Sequence, residues 1–146
     1  MLSQLLDQLN GADDGHCEAS AVALGEMGEV ALSHLRALLA HGNADARFWA
    51  VRALWVMGTP AATDALVGVL EDPSDMVRSG AALALGELKA EAAIEKLVHL
   101  LREERDSAGD HAADALSKIG KPAASVLIEA LDDAHPWVRI RAARAL

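Results

Sequence analysis

The chain has 146 residues, 52% of them hydrophobic, with 13 Lys and Arg against 22 Asp and Glu and a formal net charge of −9. That length suits one domain, and that charge balance argues against nucleic-acid partners, whose phosphates are gathered by clustered Lys and Arg. A lone cysteine excludes an intrachain disulfide and fits a reducing compartment, and no apolar run reaches the roughly 18 residues of a membrane span, so a cytoplasmic protein with no membrane partner is expected.

The makeup points to an all-α chain. Ala and Leu dominate, with one Phe, no Tyr and three Trp. Ala and Leu are the best helix formers, whereas strands favour β-branched and aromatic residues.

In chain order, residues 2–10 (LSQLLDQLN) read as a short helix with Leu5 and Leu9 one turn apart. An Ala-Leu pair then recurs as Ala23-Leu24, Ala53-Leu54, Ala84-Leu85, Ala115-Leu116 and Ala145-Leu146, with Leu-to-Leu steps of 30, 31, 31 and 30 residues. Seven residues before each Leu stand Cys17, Arg47, Arg78, Gly109 and Arg139. Four before stand Ser20, Ala50, Ala81, Ala112 and Ala142. Offsets of −4, −1, 0 and +3 from that Leu fall on one helical stripe.

A second helix follows each of the first four, anchored by Leu35/Leu39, Leu66/Leu70, Leu97/Leu101 and Leu127/Leu131. Pro60 and Pro122 mark the starts of two second helices, and Pro73 and Pro136 the starts of two first helices, where a missing N–H costs little. Thr59 and Asp72 are natural N-caps, and Gly28, Gly58 and Gly120 suit the ends of first helices.

Paired helices of about 30 residues around D-P-x-x-x-V-R…A-A-x-A-L-G-x-L resemble HEAT repeats, specifically the short subtype named after phycobilisome lyases. The matching residues are Asp72, Pro73, Val77, Arg78, Ala81, Ala82, Ala84, Leu85, Gly86 and Leu88. The resemblance implies a right-handed α-solenoid of the armadillo/HEAT class over residues 1–146. Its units are a half repeat at 2–10, repeats at 13–41, 43–71, 72–104 and 105–133, and a half repeat at 135–146. Each unit buries its apolar faces against its neighbours.

Five features are candidates for function. The Arg seven residues before the anchor Leu resembles the HEAT ladder arginine, with Asp45 and Asp75 within reach of Arg47, and Asp72 and Asp75 within reach of Arg78. Cys17 and Gly109 interrupt the series. No His or Asn stands around Cys17 in a nucleophile pattern.

The second feature is the first helix of repeat two. A 100° helical wheel turns Phe48, Arg52 and Trp55 away from its core stripe, with Trp49 on the flank. With Val22 and Leu83 from the neighbouring repeats they predict a convex apolar patch centred on Arg52, a composition usual for interface anchors. The alternative is that the helix is rotated and the aromatics are core. The third feature is a concave groove on the second helices, bearing His99, Glu95 and Glu129. Its small, acidic lining suits a basic or extended peptide.

The fourth feature is the histidines. Six are present, none followed by Glu and none paired at i, i+3 or i, i+4, so no metal and no cofactor is expected. The His-Glu pairs of the HEAT-like di-iron hydroxylases are absent. The fifth is charge at the two ends. Residues 1–35 hold six acids and no Lys or Arg; residues 134–146 hold Arg139, Arg141 and Arg144 and no acid. The two half repeats would complete one unit, which points to head-to-tail self-association as a ring or fibre.

Together these predict a non-catalytic protein-interaction scaffold whose partner is a protein or peptide. The alternative is an accessory subunit of an enzyme, in the manner of a bilin lyase.

Overall fold

The computed structural model describes residues 1–11, 13–103 and 107–146. Its helices are α1 (Leu2–Gln8), α2 (Asp14–Glu26), α3 (Glu29–His41), α4 (Ala44–Met57), α5 (Pro60–Val69), α6 (Asp75–Glu87), α7 (Ile94–Glu103), α8 (Ser107–Ile119), α9 (Lys121–Ala130) and α10 (Pro136–Ala145), with one 3-10 turn, Glu91–Ala93, before α7. Even-numbered helices carry the Ala-Leu pair and are called first helices here; odd-numbered ones are second helices. The architecture is an α-solenoid, and no strand occurs among the described residues. The expected boundary between residues 104 and 105 lies outside the described residues.

The caps explain the ends. Asp13, Asn43 and Thr59 accept from His16, Ala46 and Ala62 backbone N–H, starting α2, α4 and α5. Pro60 and Pro136 occupy first helical turns as expected. Pro73 does not: α6 begins two residues later, and Asp72 instead accepts from the Ser74 N–H. Gly58 closes α4 in the left-handed region at φ 60. The corresponding turn after α6 uses Lys89 at φ 49, a conformation that costs a side chain energy.

The core is a file of fully buried Leu residues, including Leu24, Leu54, Leu85 and Leu116 from first helices and Leu35, Leu66, Leu97 and Leu101 from second helices. Small residues set the spacing of the first helices. A Cβ built on Gly25 would lie 2.6 Å from Val56 Cβ and 2.7 Å from the Ala53 carbonyl, and one on Gly86 would lie 2.7 Å from Ala115 Cα. Second helices approach one another less closely than first helices do, and clefts of about 290 Å³ and 390 Å³ open between α3 and α5 and between α7 and α9. First helices form one layer of the stack and second helices the other.

Candidate functional site

The ladder arginines are structural. Arg47 is mostly buried and grips Asp72 with Nε and Nη2, at 2.7 and 2.9 Å, and its Nη1 donates to the Gly42 carbonyl at 2.8 Å. Neither Asp45 nor Asp75, the acids suggested by the sequence, takes that role. Arg78 donates to the Asp72 carbonyl at 2.7 Å and stands 3.9 Å from Asp75, while Arg139 donates to the Asp133 carbonyl at 2.8 Å. Each arginine thus holds the chain leaving the preceding second helix. Cys17 does the same at short reach: its buried Sγ donates to the Gln8 carbonyl at 3.4 Å. Burial raises the Asp72 carboxyl, but hydrogen bonds from Arg47 and Ser74 and the charges of Arg47 and Arg78 outweigh that, leaving it below the usual carboxylate range.

The patch expected around Arg52 takes a different form. Val22, Phe48, Arg52, Trp55 and Leu83 are all half-buried. Phe48 and Trp55 pack against the core. Phe48 lies over α6, where its ring atoms come within 3.3 Å of the Cβ that Gly80 lacks. Trp55 holds the register position of Gly25 and Gly86, both of which face the next first helix. The wheel placed these two side chains outward because it assumed a single buried stripe. A stacked helix is contacted on both flanks, and the −6 and +1 positions belong to one of them.

Arg52 is likewise engaged within the chain. Its Nη2 and Nε donate to the Glu18 carboxylate of α2 at 2.8 to 3.2 Å, and its guanidinium lies 4.8 Å from the Trp55 ring centroid. Nearer the N-terminal ends of α2 and α4 an acid and an indole again line one space, with no Lys or Arg in the lining. A cavity of about 390 Å³ opens between α2, α4 and α6, lined by Asn10, Gly11, Asp14, Cys17, Asp45, Phe48, Trp49 and Met76. Phe48 and Trp49 meet edge to face, with centroids 5.3 Å apart and planes at 76°. Met76 is 42% exposed at the rim. Of these residues only Phe48 was expected at a site. The available signal was the i, i+4, i+7 stripe of Asp45, Trp49 and Arg52 along α4.

The second-helix trio is brought together. Glu95, His99 and Glu129 line the cleft between α7 and α9, with Val98, Arg102, Glu103 and Val126.

For chemistry, no group of three metal-ligating side chains occurs among the described residues. The imidazoles of His16 and His135 meet the Asp13 and Asp133 carboxylates, His34 meets the neighbouring Ser33, and His111 meets the Ser107 carbonyl. Among the described residues these do not form a hydroxyl–imidazole–carboxylate chain. No helix of the described residues is long and apolar enough to cross a membrane.

The chain is similar to several solved solenoids. The structure of the CpcE–CpcF complex of phycocyanin lyase from Nostoc sp. PCC7120 matches with a TM-score of 0.76 at 24% identity, over 99% of this chain and 96% of that one. Human deoxyhypusine hydroxylase, solved with glycerol, matches with a TM-score of 0.66 at 22% identity, over 97% of this chain and 60% of that one. A designed armadillo repeat protein in complex with the peptide (KR)4 matches with a TM-score of 0.59 at 24% identity, over 99% of this chain and 80% of that one. These likenesses establish the fold alone. No curated protein matches the chain in sequence. The model of HEAT repeats matches residues 32–109 and 77–146, and with the stacked helix pairs above it establishes that the chain belongs to the HEAT-repeat family.

Proposed function

We propose that residues 1–146 form one HEAT-like domain that serves as a non-catalytic scaffold and holds another protein on its first-helix face near repeats one and two. The observation that carries this reading is the cavity between α2, α4 and α6, where two aromatic rings and Met76 meet two carboxylates. Aromatic and Met-rich surfaces rimmed by polar groups are typical of protein anchors. Extended peptides are an apt ligand for such a stack, and the designed armadillo neighbour holds one of Lys and Arg. The cleft of Glu95, His99 and Glu129 is a lesser candidate, since no aromatic residue lines it.

A photo-crosslinking residue at Ala19 or Met76, on the first-helix face, tests this in cell extract against the same residue at Val30 or Ile128 on second helices. The expected result is one protein joined from the first-helix positions and none from the others. Crosslinks only from Val30 or Ile128 would overturn it. Self-association, the other partner expected, would raise the sedimentation mass at low salt; one-chain mass at every salt concentration removes it.

A second reading has one observation in its favour: the phycocyanin-lyase match runs nearly end to end on both chains. It makes the chain an accessory subunit of a lyase-type enzyme. A change in bilin absorbance on mixing would support it, and an unchanged spectrum would remove it.

A further inference from the structure

We infer that the cavity between α2, α4 and α6 is a socket for a Lys or Arg side chain of an extended basic segment in the partner protein. This rests on the scaffold reading and adds the ligand's chemistry to it.

The chain contains its own precedent. Arg52 is held by Glu18 of α2 on one side and the Trp55 ring of α4 on the other. Nearer the N-terminal ends of the same two helices, Asp14 stands four residues before Glu18, and Trp49 lies six residues before Trp55 on another side of α4. Asp45, four residues before Trp49, adds a second carboxylate. All three line one cavity. An acid of α2 and an indole of α4 thus occur together a second time, here around open space.

Charge decides the ligand's sign. The lining contains no Lys, Arg or His. Among the described residues neither Asp14 nor Asp45 has a salt-bridge partner, whereas Glu18, Asp72, Glu71, Glu87, Asp110 and Asp133 each have one. The N-terminal turns of α2 and α4 carry partial positive charge and by themselves favour an anion. That effect is reduced because Asp13 and Asn43 already accept from His16 and Ala46 N–H. Two full carboxylate charges outweigh what remains.

Shape decides the class. The two rings stand nearly perpendicular, with the edge of one against the face of the other, so a cation would use a face that this contact leaves uncovered. Cations bind over such faces within about 6 Å of the centroid. The alkyl stem of Lys or Arg suits Met76 and Phe48, while its head reaches Asp14 and Asp45. At about 390 Å³ the cavity admits a side chain together with part of its backbone.

The test is fluorescence anisotropy with a labelled octapeptide of alternating Lys and Arg at low salt. The double variant Asp14→Asn with Asp45→Asn should weaken binding by about tenfold, with circular dichroism unchanged. Asp64→Asn with Asp132→Asn removes the same net charge elsewhere and should change it by less than about twofold. An octapeptide of Gln should not bind. Equal losses in the two double variants would show diffuse attraction to an acidic protein and overturn the socket. No binding of the Lys-Arg octapeptide would do the same. The crosslinking experiment separates the two failures: first-helix crosslinks without octapeptide binding leave the scaffold standing and remove the cation.

Discussion

Arg47 on α4 crosses the repeat boundary and closes on both carboxylate oxygens of Asp72, at 2.7 and 2.9 Å, with both side chains largely buried. This pair ties two repeats together, so its loss should be felt by the whole stack. Asp72→Asn is expected to cost about 2 kcal/mol, since it leaves a guanidinium short of its counter-charge in a poorly hydrated place. Urea unfolding at neutral pH measures it.

The same pair gives an acid limb. Asp72 titrates below the ordinary carboxylate value of about 3.9. A carboxylate depressed in the fold contributes fully above its unfolded value and loses that contribution as pH falls through the folded one. Stability should therefore drop below about pH 4, and the drop should be shallower in Asp72→Asn. Parallel unfolding curves from pH 7 to pH 2.5 read the difference; identical slopes would contradict it.

Glycines separate packing from helix propensity. Gly25→Ala would place a Cβ 2.6 Å from Val56 Cβ, against backbone as well as side chain, and is expected to destabilise by about 1–3 kcal/mol. Gly68→Ala on α5 meets nothing within 4 Å and should stabilise by about 0.5–1 kcal/mol through propensity alone. Opposite shifts in melting temperature are the expected result.

Phe48→Ala should destabilise by about 2 kcal/mol, because the ring is half-buried on Gly80 and the core. A freely exposed patch would give almost no change. Chemical denaturation distinguishes these outcomes.

Arg52 and Glu18 should couple weakly. Their side chains are 32% and 43% exposed, so a double-mutant cycle should return about 0.5–1 kcal/mol. Added salt should reduce it.

Much of this was legible in the sequence. The Leu spacing of 30 and 31 residues located the stacked pairs, because a core Leu per unit is a fixed physical demand. Thr59, Pro60 and Gly58 declared their turns through backbone chemistry. Asp72 as partner of Arg47 was not legible: the choice among Asp45, Asp72 and Asp75 depends on where the interrepeat loop returns, which spacing does not encode. Phe48 and Trp55 were placed outward for a related reason, since a wheel describes one helix and a solenoid packs each helix from two sides. The compensating signal was present in Gly25, Gly80 and Gly86, whose smallness marks close neighbours. The cavity joins residues from three repeats, so no single helix could reveal it.

The three indole N–H signals in a proton–nitrogen correlation spectrum test the placement of function most directly, because Trp49 lines the cavity, Trp55 lies under Arg52, and Trp137 sits beside His135 on α10. On titration with the Lys-Arg octapeptide, the Trp49 signal is expected to move first and furthest while Trp137 stays in place. A Trp49 signal unmoved at saturation, or one moved no more than Trp137, would contradict it.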